Sequence, residues 1–262
     1  MRISSLDTHD SVQNDPSSVI AMLPLGATEQ HGKHLPLETD ILIADGIASR
    51  LCKKAPIDLN VLILPTEPVG YSPEHLDHEG TKSLSYHDAV ERWINIGKAA
   101  AKKGIRRFVM LNAHGGNSSL MTVIAQELRI NYSMLAVSTS WTRFIRNLDV
   151  VSSQEHHFGI HGGDIETSVM LALDPEQVDL SQARNFPNLQ ETLVKKTLFL
   201  RAYGPHSFGW KATDLNCEGV TGNAAAATPQ KGELLLKSTV DGLLLLLKEV
   251  AEFDPDTYFR DP

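Results

Sequence analysis

Short apolar runs alternate along this chain with longer stretches of helical periodicity. That alternation points to a parallel sheet covered by helices on both faces. Val19–Leu23, Val61–Leu64, Arg107–Leu111 and Leu135–Ser138 are the candidate strands. They are short, continuous and rich in Val, Ile, Leu and Met, as strands buried on both faces should be. Apolar spacings of three and four residues predict helices over Asp40–Lys53, Tyr86–Lys103, Ser119–Asn131, Ile165–Ala172 and Gly232–Glu252. In the second of these, Val90, Trp93, Ile94, Gly97 and Ala101 form one stripe, read as core packing, and Lys102-Lys103-Gly104 is a helix stop.

No repeat or low-complexity segment interrupts the pattern. Phe186–Pro229 is the least regular stretch, expected to be a functional or assembly loop. The expectation is a single α/β domain over residues 1–262. At 42% apolar and 21% charged residues the composition supplies a core and excludes global disorder. The net charge of −8, from 24 basic and 32 acidic residues, argues against a nucleic-acid binder. Two cysteines, Cys52 and Cys217, form no framework and suit a reducing compartment. The N-terminal MRISSLDTHD lacks the features of a secretion signal, and the longest apolar run, Leu243–Leu247, cannot cross a membrane. A cytoplasmic protein is expected.

In open parallel sheets ligands bind beyond the carboxyl ends of the strands. Three loops expected there carry metal-ligand residue types. The first reads GATEQHGKHLPLETD. If it runs extended, Glu29 and His31 project to one side, and Asp40 stands at the mouth of the next helix. Spacing alone does not choose between His31 and His34 as a ligand. The second reads NAHGGNSS, with His114 just past a strand and Asn117 or Ser118 able to cap the following helix. The third reads HHFGIHGGDIETS, where Asp164 resembles an N-cap, Glu166 falls in the first helical turn and His161 precedes two glycines.

Taken singly, each residue has a plain reading as a polar loop or a helix-start acid. Convergence of three such loops at one sheet edge changes that. Imidazole and carboxylate ligands without a thiol suit Zn²⁺ or Mn²⁺ in a hydrolytic role, with Fe possible. Five such groups, three of them carboxylates, exceed what one tetrahedral ion takes. A carboxylate bridging two ions about 3.5–4 Å apart fits the count, and such a pair activates a shared water.

The segments LPLGATEQHGKHLPLETD, NAHGGN and HGGDIETS, in this order and spacing, resemble the creatininase (creatinine amidohydrolase) family from about Val19 to about Asp179. The resemblance implies a three-layer αβα fold around a mostly parallel sheet, a dinuclear Zn or Mn centre and a homohexamer. It implies that Glu29, His31, Asp40, His114 and Glu166 are metal ligands, with Asp40 the bridge. By the same resemblance His161 is the catalytic proton donor to the leaving nitrogen, Glu166 is a second catalytic candidate, and Glu74 and His75, within PEHLDHEGTKSLS, line the pocket. Trp141 and Trp210 are further pocket candidates.

The chain departs from creatinine-cleaving members at Gly116. Those carry a glutamate two residues after the second loop's histidine, whereas HGGN resembles formamide deformylases and a mycofactocin-precursor peptidase. The expected function is therefore a metal-dependent amidohydrolase cleaving a non-peptide or cyclic C–N bond of a small polar substrate. A lyase or decarboxylase or a formamide deformylase on the same site, or a non-catalytic metal-binding module, are the alternatives.

Overall fold

The structure, a computed structural model, describes residues 2–3, 14–145 and 149–254. MRISSLDTHD, read above as lacking a secretion signal, lies almost wholly outside them.

Five strands form one parallel sheet: β1 (Arg2–Ile3), β2 (Ile20–Leu25), β3 (Val61–Ile63), β4 (Arg107–Asn112) and β5 (Leu135–Ser140), in the order β1-β3-β2-β4-β5. Side chains alternate faces along a strand, so β2, β3, β4 and β5 each divide between two cores. Ile20, Met22, Val61, Ile63, Val109 and Leu111 face one side. There they meet α1 (Thr39–Lys54), α5 (Asp164–Leu173) and α8 (Pro229–Glu252). Ala21, Leu23, Leu62, Phe108 and Met110 face the other side, against α2 (Tyr86–Lys102) and α3 (Ser118–Tyr132). The fold is a three-layer α/β sandwich around a parallel sheet. The expected α2 stripe packs inward, with Trp93 fully buried and Gly97 admitting the Leu128 side chain of α3.

The strand order positions the site. From β2 the chain passes through α1 on one face to β3, while from β4 it passes through α3 on the opposite face to β5. The exits of the neighbouring strands β2 and β4 therefore diverge, leaving a crevice at the carboxyl edge. The first two motif loops leave the sheet at this point.

Two expectations need correction. The third loop does not leave a strand directly. Between β5 and His161 lie a 3₁₀ turn at Trp141–Phe144 and the short helix α4 (Ser153–Phe158). His161 is instead held by a bridge in which Thr221 N–H donates to the His161 carbonyl at 2.8 Å.

Nor is Phe186–Pro229 merely irregular. It contains α6 (Leu189–Lys196), α7 (Ala212–Leu215), and, from Asn185 to Asn223, the antiparallel ribbon β6 (Asn185–Phe186) with β7 (Gly222–Asn223). α6 opens on a capping box in which Asn188 accepts from Gln190 N–H and Glu191 accepts from Asn188 N–H. Among the described residues no helix is long and apolar enough to cross a membrane.

Candidate metal centre

The loop after β2 carries Glu29 and His31 into the crevice, and both are fully buried. Asp40, in the first turn of α1, meets them from the side. Its carboxylate reaches His31 Nε2 at 3.4 Å and His114 Nδ1 at 3.5 Å. His114, two residues past β4, lies 3.0 Å from Glu29 Oε1 through the same Nδ1. Glu166, in the first turn of α5, brings its carboxylate to 3.8 Å from His31 Nε2. His161 Nδ1 stands 3.7 Å from Glu29 Oε1. The structure thus brings together all six of the sequence-derived ligand and acid–base candidates.

The imidazoles are oriented from behind. His31 Nδ1–H donates to the Glu29 carbonyl at 3.1 Å, His114 Nε2–H to the Tyr71 carbonyl at 3.0 Å, and His161 Nε2–H to the Gln30 carbonyl at 2.7 Å. Each ring is left with a bare nitrogen aimed at carboxylate oxygens. His31 Nε2, both Glu29 oxygens and Asp40 Oδ2 are buried with no hydrogen-bond partner. Lone pairs facing one another in a dry interior need a metal ion or a proton between them, and a backbone carbonyl behind each ring is the usual support of a metal-ligating histidine.

Among the described residues, three groups have ligand atoms close enough to hold an ion: Glu29–Asp40–His114, His31–Asp40–Glu166, and Glu29–His31–His161. The first two share Asp40. An all-oxygen and imidazole donor set fits Zn²⁺ or Mn²⁺.

Without an ion the cluster holds protons instead. Burial disfavours the charged form of His31, but Asp40, Glu166 and Glu29 outweigh it and raise its pKa to about 9. For His114 the same contest, won by Glu29, Asp40 and Glu74, ends at about 10. Burial lifts Glu166 to about 7, with Asp40 and Glu29 adding to it against His31. Burial, then His75 and His31, drive His161 well below the usual histidine range, so this ring is neutral.

The surroundings sort the remaining candidates. His34 turns away, its Nε2–H donating to the Gly162 carbonyl at 2.8 Å, so the choice spacing left open falls to His31. His75 Nε2 lies 3.6 Å from Glu29 Oε1 and Glu74 Oε1 lies 3.7 Å from His114 Nε2. Both line a cavity of about 600 Å³ that opens beside the cluster. Trp141 is buried and lines a smaller, adjoining cavity of about 270 Å³ with His156 and Glu166.

Asn117 does not cap α3 with its side chain. Its amide instead accepts from Tyr71 N–H at 2.9 Å and donates to the Gly26 carbonyl at 3.2 Å, tying three loops together. Asp164 likewise is not the N-cap of α5 but its first residue, paired with Lys231 and accepting from Ser168 Oγ.

Two residues of the site escaped sequence reasoning. Gln30, between Glu29 and His31, sends its amide N–H to His75 Nδ1 at 3.0 Å and to the Gly219 carbonyl. Glu155 is a buried carboxylate that accepts from Asp164 N–H at 2.6 Å and Asn223 N–H at 2.8 Å. For Gln30 the sequence signal was its place between two ligand candidates, Glu29 and His31.

A family model described as creatininase, creatinine amidohydrolase, matches residues 5–247. The chain belongs to the creatininase family. Its relatives include the creatinine amidohydrolase of Pseudomonas putida, 29% identical over 254 residues covering 90% of each chain. The mycofactocin precursor peptide peptidase of Mycolicibacterium smegmatis is 28% identical over 241 residues, 91% of this chain and 88% of that one. A 2-amino-5-formylamino-6-ribosylaminopyrimidin-4(3H)-one 5'-monophosphate deformylase of Methanothermus fervidus is 25% identical, covering 90% and 86%.

Among solved structures, a Zn–Zn form of a mutant creatininase superposes with a TM-score of 0.72 at 27% identity, covering 90% of this chain and 92% of that one. A manganese creatininase gives 0.73 at 27% identity, covering 92% and 94%. The creatininase family assignment makes this chain an amidohydrolase with a metal-binding cluster, and leaves its substrate open.

Proposed function

We propose that this creatininase-family protein hydrolyses a C–N bond of an amide or formamide at a dinuclear centre. The observation that carries the reading is the convergence of ligand residues from three parts of the chain, with Glu29, His31 and Asp40 presenting buried atoms that have no hydrogen-bond partner. In this reading Glu29, Asp40 and His114 would hold one ion and His31, Asp40 and Glu166 the other, with Asp40 common to both sets. When bound, the ions supply Lewis acidity toward the amide carbonyl and lower the pKa of a nearby water.

The chain's own residues account for the proton traffic. Hydrolysis adds water across the C–N bond, so one proton must leave the water and one must reach the departing nitrogen. His161 is suited to both transfers. Its Nε2–H is fixed on the Gln30 carbonyl, and its Nδ1, the bare nitrogen, faces the cluster. It takes the proton at Nδ1 and returns it to the leaving amine, as a positioned general acid–base. Glu29 beside it keeps its negative charge, favouring the transient imidazolium.

Creatinine is not the substrate we infer. A Cβ built on Gly116 would lie 2.4 Å from both His114 Nε2 and the Tyr71 carbonyl, and 2.7 Å from Glu74 Oε1. The position where creatinine-cleaving members carry a glutamate is closed here. We further infer a cytoplasmic homo-oligomer, a hexamer by family resemblance. In support, both cysteines are free thiols and Leu198, Phe199 and Leu200 form an exposed apolar run that an assembly would cover.

The test is metal content per chain after purification without chelators, joined to turnover of amide and formamide substrates in ¹⁸O-water. About two equivalents and ¹⁸O in the product acid are expected. Absence of label at full turnover would move the chemistry to a lyase. Absence of metal after reconstitution would leave only a binding module.

A further inference from the structure

The larger cavity beside the cluster has two unlike sets of lining residues. Glu74, His75, His114 and His161 are polar. Ile160, Tyr203, Trp210 and Leu215 are its large apolar and aromatic side chains. Tyr203 offers the cavity wall its ring and not its hydroxyl. The O–H donates to the His157 carbonyl at 2.9 Å and accepts from Asn188 Nδ2 at 3.2 Å. The cations next to the wall are turned elsewhere. Lys211 Nζ pairs with Asp77 at 2.9 Å, and the Arg201 guanidinium donates to the carbonyls of Thr197, Leu198 and Leu200.

A cavity of about 600 Å³ is of the size that buries drug-sized molecules, so a single five-membered ring would leave most of it empty. Two aromatic side chains in an apolar lining recognise a flat apolar group by burial and stacking. A phosphate there would meet Trp210, Tyr203 and Leu215 in place of a basic group.

We propose that Tyr203 and Trp210 are specificity-determining residues. They receive an uncharged, flat or aromatic arm of the amide. This rests on the amidohydrolase reading above and names the substrate class within it: neutral amides with a sizeable apolar arm, in preference to small cyclic amides or phosphorylated formamides. It also gives the segment from Phe186 to Pro229 a function, since Tyr203, Trp210 and Leu215 lie in it while the proposed ligands do not.

Hydroxamates chelate metal ions and mimic an amide, so their affinities read the arm separately from the chemistry. Calorimetry on the full-length, metal-loaded protein compares acetohydroxamate with phenylacetohydroxamate. The phenyl arm is expected to tighten binding roughly 10- to 100-fold through ring burial and stacking. Trp210→Ala should reduce that ratio to about threefold or less while leaving acetohydroxamate affinity unchanged, which also serves as the control for an intact site. Tyr203→Phe, which keeps the ring, should preserve the ratio. Equal affinities for the two ligands in the native protein, or an unchanged ratio in Trp210→Ala, would overturn the wall alone. Failure of both ligands to bind the metal-loaded protein would overturn the metal-site reading and the wall with it.

Discussion

Replacing Gly116 by alanine should damage the site far more than the fold. The added methyl would sit 2.4 Å from His114 Nε2 and from the Tyr71 carbonyl oxygen, where ordinary contact begins at 3.4 Å, so each must yield about 1.0 Å. These two atoms are also the donor and acceptor of one hydrogen bond, at 3.0 Å, that fixes the His114 ring. The methyl therefore pushes into the support of a ligand, and neither atom can retreat without losing the other. Metal–ligand distances tolerate only about 0.2 Å, so the shift exceeds what the centre accepts several-fold.

Overpacking of this kind costs about 2 kcal/mol, equivalent to a fall of about 4–8 °C in Tm. Loss of the bond behind a ligating histidine lowers metal affinity by roughly 10- to 100-fold. Thermal melting of the metal-free protein and competition against a chelator measure the two effects separately. Retention of metal affinity within about twofold, at any change in Tm, would refute the argument that Tyr71 and Gly116 together hold His114.

Three further outcomes are expected. His31 and His114 keep their protons to about 9 and 10 in the metal-free site, so protons and metal compete for the same nitrogens. Metal uptake at pH 7.5 should release about two protons per chain, with affinity falling as pH falls. Calorimetry in buffers of contrasting ionisation enthalpy reads the number, and zero release would show that these rings are not displaced from protons by metal. His161→Ala should retain its metal and lose about 10²- to 10⁴-fold in rate; loss of an ion instead would make His161 a ligand, as the Glu29–His31–His161 group allows. Glu155→Ala should cost about 3 kcal/mol or more by leaving buried backbone N–H groups bare. It should also release the ion held through Glu166 first, so a variant that stays fully loaded would deny Glu155 that role.

The helices and strands that carry the N-terminal half of the site were legible because each is long or apolar enough to announce its period. The expected β4 and α2 differ from the structure by one residue at one end. Convergence of Glu29, Asp40 and His114 followed from strand-exit logic alone. What stayed hidden depends on contacts distant in sequence. β1 is two residues long and exists by pairing with β3. The choice of His31 over His34 is made by the Gly162 carbonyl, more than a hundred residues away. α6 is short, and its signal was the local cap at Asn188 and Glu191, not a stripe, so reading for apolar periodicity passed over it.

The two halves of the cluster are therefore held by different physics. Glu29, His31, Asp40 and His114 hang from the ends of a parallel sheet and from the helix that follows β2, so the main core fixes them. His161 and Glu166 stand on a segment with no strand beneath it, and Glu155 takes the place of a strand. Its carboxylate lies among the backbones of Gly159, Gly163 and Gly222, where a Cβ would come within 2.1, 2.1 and 2.7 Å of it. It accepts N–H bonds from the start of α5 and from β7. Only glycines let three chain segments approach one buried carboxylate this closely. Glu155 thus joins the helix bearing Glu166 to the ribbon that leads into the Tyr203–Trp210 region. Substitutions between β6 and β7 leave the Glu155 contact with α5 in place. In such an arrangement substrate preference can diverge among relatives that keep the same cluster.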